Sequence, residues 1–389
     1  MTETSNFDIA VVGGGPTGLT AALLLAKSGY RIALCAPIAA DDGRSVALLQ
    51  SSLDILGKIE AREAVEAAGS PLSVMRLVDD TGRLLRAPEI SFKASELGYD
   101  SFGTSIPTAS LTAILRKMAD QQENLAVYAT EVSKVGPDED GVTLTLESAR
   151  EISASLVVGA DGIRSFCREA TGLELKSWSY PQKALVTSFS HTRPHDDIST
   201  EFHTRAGPFT LVPIAERRCG LVWVDKPEII DRWETADLES LAREIEIRSH
   251  FILGDVEVED RPRTFPMSGG YLAAPAADRI ALVGEAAHFF PPIGAQGLNL
   301  GFRDCAALAK AIGRRNPDPG NRPTLERYIR SRKIDVTGRT YGVDLLNRSL
   351  LIDFLPVQAA RAIGLTLADT VSPLRKLMMR LGMSVSPVR

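Results

Sequence analysis

The stretch Arg279-Ile-Ala-Leu-Val-Gly-Glu-Ala-Ala-His-Phe-Phe-Pro-Pro-Ile-Gly-Ala-Gln-Gly-Leu-Asn-Leu-Gly-Phe-Arg-Asp304 decides how the rest of the chain is read. Ile280 to Val283 is a short apolar run of the kind that forms a strand buried on both faces. It stops at Gly284, where the backbone must turn or approach something closely. The loop Pro291-Pro292-Ile293-Gly294-Ala295-Gln296-Gly297 follows and opens onto Leu298 to Ile312, whose apolar spacing predicts a helix. A strand with a carboxylate, Glu285, at its tip and a glycine-rich turn aimed at a helix N-terminus suit a cofactor that carries hydroxyls and anionic or electron-rich groups.

The same pattern stands at the other end of the chain. Asp8-Ile-Ala-Val-Val12 is a short β-branched run ending in Gly13-Gly-Gly15-Pro16-Thr17-Gly18, and Leu19 to Ser28 has apolar helical spacing. Gly13-x-Gly15-x-x-Gly18 therefore falls at a strand-to-helix turn. Glycines there allow a tight turn, close approach to a pyrophosphate and close helix–strand packing. Ile32-Ala-Leu-Cys35 is the second strand of this βαβ unit, but it ends in Cys35-Ala36-Pro37 without the acid that takes ribose hydroxyls. Either the ribose is held differently or the acid is Asp41 or Asp42. Arg44 is the first cation after this turn and reads as an exposed loop charge or as a phosphate or ribose contact. A third run, Leu156-Val-Val-Gly159, carries Asp161 just past its tip, with a helix expected to start at Ile163-Arg164-Ser165. Spacing alone also allows Asp161 to be an N-cap.

A chain of 389 residues exceeds one ordinary core, so two domains, or one with a large insertion, are expected. With 44% hydrophobic and 24% charged residues the composition is that of a soluble globular protein. A net charge of −5 and the lack of a basic cluster interleaved with aromatics argue against a nucleic-acid partner. Cys35, Cys167, Cys219 and Cys305 make no C-x-x-C pair and fit free buried thiols in a reducing compartment. With no signal pattern at the N-terminus and no apolar run of spanning length, a cytoplasmic location is expected. His191, His195 and His203 lack ligand spacing, so no metal is expected.

Between the glycine motifs, Leu53 to Ala68 predicts one or two short helices around Gly57, and Leu72 to Leu85 a hairpin turning at Asp80-Thr-Gly82. A helix over Leu111 to Asp120 is expected to be capped by Thr108 or Ser110. Leu125 to Val132 and Gly141 to Leu146 read as strands joined by an acidic turn. From Tyr180 to about Pro266 the texture changes to strands, with one helix at Asp237 to Phe251. This predicts an inserted antiparallel sheet that covers a substrate, with Phe209, Pro213 and Trp223 as pocket candidates. Thr324 to Leu346 reads as one long arginine-rich helix. Leu350 to Met383 then mixes leucines with Arg361, Arg375, Lys376 and Arg380, which suits either packing on the core or an amphipathic surface that touches lipid or admits a lipid-like tail.

Three motifs thus stand in fixed order: Gly13-x-Gly15-x-x-Gly18, Val158-Gly-Ala-Asp161-Gly162, and Gly284-Glu285-Ala-Ala-His288 through Pro292, Gly297 and Asn299. This order resembles the single-component (group A) flavoprotein aromatic hydroxylases, which share the fold of 4-hydroxybenzoate hydroxylase. Within them, Asp42-Gly43-Arg44-Ser-Val-Ala-Leu48 and Gly294 to Asp304 are similar to the ubiquinone-biosynthesis hydroxylases. The resemblance implies an α/β fold: a Rossmann-like (GR2-type) FAD-binding domain, an inserted antiparallel-sheet substrate domain and a C-terminal helical region. The expected FAD-binding parts are residues 1–75, 106–178 and 269–340. Residues 76–105 and 179–268 would belong to the substrate domain, and 341–389 to the C-terminal region.

Carried over to these positions, the resemblance implies that Gly13, Gly15, Pro16, Thr17 and Gly18 hold the FAD pyrophosphate and that Arg44 lies near the ribose or phosphates. Asp161 would serve both FAD and the path of the nicotinamide cofactor, and Gly284 and Glu285 would meet the ribityl chain. Gly294, Gln296, Gly297, Leu298 and Asn299 would border the isoalloxazine ring, where helix N–H groups favour electron density at its pyrimidine end. Pro292 would line the reaction pocket, and His288, with no acid or nucleophile at a recognisable spacing, would support the loop. Glu285, longer than the family's usual Asp, and Cys35, in place of the ribose acid, bear on FAD affinity more than on reaction type. The implied chemistry is reduction of FAD by NADH or NADPH, reaction with O2 to a flavin hydroperoxide, and hydroxylation of a phenolic ring. The lead expectation is a polyprenylated, lipid-like phenol of ubiquinone biosynthesis, with contact at the inner membrane surface, a biosynthetic assembly or a homo-oligomer as partners. The alternatives are a hydroxylase of a small soluble aromatic acid and a flavin-binding accessory subunit without turnover.

Overall fold

Three runs that end in glycine lie side by side in one sheet. In the computed structural model, which describes residues 4–37, 43–83, 86, 88–291, 296–351 and 371–383, strands Ile280–Leu282, Glu151–Gly159, Thr4–Val12, Ile32–Cys35 and Leu125–Tyr128 run parallel in that order. Their centres, Ile9 to Val11 and Ile32 to Leu34 among them, are buried, as expected of strands covered on both faces. Helices Pro16–Lys27, Thr108–Asp120 and Gln296–Ile312 share one apolar core on one side. Val142–Leu146 and the segment after Asp161 contribute to a second core on the other. Val12, Gly159 and Leu282 pair across neighbouring strands, so the three carboxyl-terminal strand tips meet at one edge.

Leu175–His191, Ile198–His203, Pro208–Ala215, Arg218–Asp225 and Arg263–Leu272 form the centre of a nine-stranded sheet. Val74–Asp79 joins it in parallel beside Ile198–His203, and Ile90–Lys93 forms its outer edge. At the other edge the two-residue strand His288–Phe289 pairs with Tyr271 and Gly270. The few residues after the Gly284 turn therefore leave the parallel sheet and enter the second one, which holds the two sheets together at the site.

Several local expectations shift. The hairpin placed within Leu72 to Leu85 is made instead by Val74–Asp79 and Ile90–Lys93, further apart in sequence. Leu125–Tyr128 completes a parallel crossover, and the acidic hairpin is Val132–Pro137 with Val142–Leu146. The helix beginning at Thr108 follows Pro107 and carries no side-chain cap, so neither Thr108 nor Ser110 has that role. The helix after Asp161 starts at Phe166, not Ile163. Pro227–Thr235 is an additional helix, with proline at its first turn.

The long helix Arg322–Leu351 packs on Gln296–Ile312, and Ser372–Met383 docks against Ala94 and Phe102. Arg361 lies outside the described residues. All four cysteines are buried thiols, and burial pushes Cys35 and Cys219 up to about 12. Among the described residues no helix is long and apolar enough to cross a membrane, and no group of His, Cys, Asp or Glu could hold a metal ion.

Candidate active site

The glycines of the first turn divide into two kinds. Gly13 has φ +115°, and a Cβ there would stand 2.2 Å from the Ala160 carbonyl oxygen; a Cβ on Gly18 would stand 2.0 Å from that of Gly13. These two positions are required by packing within the protein. Around Gly15 a Cβ would meet nothing within 4 Å. Gly15 is the N-cap of Pro16–Lys27, with no side-chain cap and no acid in the first turn. The first-turn N–H groups and the positive end of the helix dipole are thus left to an anion that comes close to the backbone, as a pyrophosphate must. Pro16, at the first helical position, gives up no needed donor.

The second strand tip offers no acid, because Cys35 is buried and Ala36 donates its N–H to the Tyr128 carbonyl. Asp41 and Asp42 lie outside the described residues. The Arg44 guanidinium lies 5.9 Å from the Phe265 ring centroid, which connects the cofactor side to the second sheet.

The third tip is built tightly. Asp161 accepts from Ser165 Oγ (2.5 Å) and from the Cys167 N–H (2.9 Å), while Ser165 itself caps the helix by accepting from Arg168 N. Sequence reasoning missed Arg168. This buried side chain donates to the Ile163 carbonyl (2.7 Å) and the Ala286 carbonyl (3.1 Å), tying the Asp161 loop to the Gly284 turn.

Gly284, at φ +61°, lies against the first helix, since a Cβ there would be 3.0 Å from Thr17 Cγ2. Gly301 packs onto the same two residues, with a Cβ 3.2 Å from Gly284 Cα and 3.0 Å from Thr17 Oγ1. Thr17 therefore joins the turn at residue 13 to the turn at residue 284. Glu285 is exposed on the short 3-10 turn Gly284–Ala286 and makes no hydrogen bond or ion pair among the described residues. Gly297, in the first turn of Gln296–Ile312, repeats the arrangement at Gly15: a Cβ there would meet no described atom within 4 Å, and no acid stands in that first turn. Leu298 packs against the core. The Asn299 side chain is engaged within the protein, accepting from Leu49 N (2.9 Å) and Ser52 Oγ (2.6 Å) and donating to the Ala47 carbonyl (2.7 Å). Pro292 and Gly294 lie outside the described residues.

Contrary to the sequence expectation, His288 has an acid. Its Nε2 donates to Asp304 Oδ2 at 2.6 Å, and its ring stacks on Phe290 with centroids 5.4 Å apart. Asp304 also accepts from the Gly284 N–H (3.0 Å) and from Arg332 Nε (2.6 Å). Burial alone would raise the Asp304 carboxyl, but His288 and Arg332 outweigh it and hold the group below the usual carboxylate range. Burial opposes the Arg332 charge as well, yet Asp304 and Asp335 raise its pKa. Tyr328, one turn before Arg332, donates to the Leu282 carbonyl (2.7 Å). The Gly284 turn is thus held from beneath by a buried ionic cluster.

The second sheet shows its two faces unequally. Phe209, Leu211, Cys219, Leu221 and Trp223 lie in the core under the helices Pro227–Thr235 and Leu238–Arg248. Phe209 and Trp223 are therefore core residues, and Pro213, paired with Cys219, shares their face. The opposite face carries Val186, Thr210, Val212 and Val222, all half-buried. It looks toward the strand Ser45–Leu49, because a Cβ at Gly220, the partner of Val212, would stand 2.5 Å from Ser45 Oγ. Strand periodicity identifies these as one set; only the two covering helices, of which Pro227–Thr235 was unforeseen, tell which set faces the cofactor side.

A family model described as FAD binding domain matches residues 6–337. The chain is 32% identical to the ubiquinone hydroxylase UbiL of Rhodospirillum rubrum, with 96% of this chain and 88% of that protein covered. It is 27% identical to the 3-demethoxyubiquinol 3-hydroxylase of Escherichia coli, over 95% of this chain and 96% of that one. Among solved structures its fold is like that of p-nitrophenol 4-monooxygenase PnpA from Pseudomonas putida, with a TM-score of 0.80 at 18% identity over 99% of this chain and 100% of that one. The chain belongs to the FAD-binding-domain family of flavoprotein monooxygenases.

Proposed function

We propose that the protein hydroxylates the aromatic ring of a polyprenylated phenol in ubiquinone biosynthesis, with FAD as its cofactor, NADPH or NADH as reductant and O2 as oxidant. The observation that carries this is the similarity to a ubiquinone hydroxylase along 96% of the chain, which spans both open glycine turns and the covering sheet. When bound, FAD would supply the redox chemistry, hydride acceptance from the nicotinamide and activation of oxygen. The chain's own groups bind and orient. First-turn N–H groups at Gly15 to Gly18 hold the pyrophosphate, and Glu285 takes ribityl hydroxyls. The helix end at Gln296 and Gly297 favours negative charge at the pyrimidine side of the ring. Arg44 and Asp161 border the cofactor, and the Asp304 cluster fixes the Gly284 turn. Val186, Thr210, Val212 and Val222 line the covering face and keep water from the reacting ring. No protein general base is assigned, and His288 acts as a support. The protein meets its lipid-like substrate at a membrane surface.

The test is the quinone profile of a strain in which the coding sequence is deleted. A prenylated, under-hydroxylated ring accumulates if the proposal holds; normal quinone content refutes it. Purified protein should also retain FAD and oxidise NADPH or NADH in the presence of a phenol.

A further inference from the structure

The helix Ser372–Met383 has two unlike apolar faces. One is spent on the protein: Met379 and Met383 are buried against Ala94 and Phe102, and Arg375 makes a double ion-pair contact with Glu96 Oε1 and Oε2 at 2.9 and 2.7 Å. The Arg375 guanidinium also lies 4.8 Å from the centroid of the Phe92 ring. At about 100° per residue, Leu374, Leu377 and Met378 project from the opposite side as one stripe. They are exposed, Leu377 by 52%. Lys376 and Arg380 are exposed on one side of this stripe, Arg380 next to Leu377 and Lys376 further round toward Glu96, while Arg375 is neutralised by Glu96.

We propose that this helix is the membrane-docking element of the protein, laying Leu374, Leu377 and Met378 into the surface of an anionic bilayer with Lys376 and Arg380 at the headgroups. Two observations favour lipid over a second protein surface. Twelve residues rise only about 18 Å, so one stripe of that length supplies a small part of the roughly 800 Å² per partner that a stable dimer buries. Shallow insertion at an interface needs no more than such a stripe with basic residues beside it. The positive charge is also local, standing out from a chain whose net charge is −5. The helix is anchored on Ile90–Lys93 and the 3-10 turn Ala94–Leu97, so it is the outer edge of the covering sheet that is brought to the bilayer. This use of the helix rests on the lipid-like substrate proposed above.

Vesicle flotation of the full FAD-loaded chain tests the inference without reading activity. Binding is expected to phosphatidylcholine vesicles that contain phosphatidylglycerol, and to weaken in high salt. Lys376→Gln with Arg380→Gln should lower vesicle affinity by about fivefold per residue, about 25-fold together. Leu374→Ser, Leu377→Ser and Met378→Ser combined should abolish flotation, with FAD content and melting temperature unchanged because none of these side chains is buried. Equal flotation with and without phosphatidylglycerol, or a triple variant that floats like the parent, overturns the proposal. So does a concentration-dependent dimer that the triple variant abolishes. A normal quinone profile on deletion would refute the function, whereas failed flotation with an altered profile would refute the docking helix alone.

Discussion

Replacing Asp304 with asparagine isolates what the buried cluster contributes. Asp304 is 1% exposed and accepts from Gly284 N, His288 Nε2 and Arg332 Nε. The amide would keep the shape of the carboxylate but remove the charge facing a buried guanidinium. Taking one partner from a buried ion pair costs about 3–5 kcal/mol. Arg332 keeps a second carboxylate, Asp335 Oδ2 at 2.8 Å from Nη1, so the lower end, about 3 kcal/mol, is expected. For 389 residues unfolding as one unit, an unfolding entropy of about 2.1 cal/mol/K per residue amounts to about 0.8 kcal/mol/K, and Tm falls by about 4 °C. The pH dependence adds a sign. The folded pKa of Asp304 lies below its unfolded value of about 3.9, so its stabilisation is fully present above that value and is lost as pH falls through the folded pKa. The Tm gap between parent and Asp304→Asn should therefore be constant from about pH 7 to 5 and close below about pH 4. Scanning calorimetry across that range measures both. An unchanged Tm at neutral pH, or a gap that widens on acidification, refutes the reasoning.

The two kinds of glycine separate fold from cofactor. Gly15→Ala should leave Tm unchanged but lower the flavin absorbance of purified protein, because its Cβ enters open space at the helix end. Gly13→Ala should lower Tm steeply or prevent folding, since its Cβ meets Ala160 at φ +115°. Glu285→Ala should weaken FAD binding in a calorimetric titration while leaving the choice of phenol unchanged; unaltered FAD affinity would remove this carboxylate from the site.

The parallel sheet and its glycine turns were legible because each follows from local chemistry. A short run of buried apolar residues reads as a strand, and Ile32–Cys35 coincides with the expected bounds. The face of the second sheet was not legible. Alternation groups Phe209 with Trp223, and Thr210 and Val212 with Val222, but neither aromatic content nor spacing tells which group faces the cofactor domain. The helices Pro227–Thr235 and Leu238–Arg248 decide it by covering the aromatic side.

The partner of His288 was missed for a different reason, although a signal for it exists. Leu300, Asp304 and Leu308 are four residues apart on one helix, and Tyr328, Arg332 and Val336 are four apart on another; all six are buried. Each helix thus places a single charge in the middle of its apolar stripe, and the two charges have opposite signs. Either charge buried alone would be costly, so the two helices must pack with the charges together. That pairing sets the register of Arg322–Leu351 against Gln296–Ile312. Because Asp304 also accepts from Gly284, the same pairing carries the position of the long helix to the turn on which Glu285 stands.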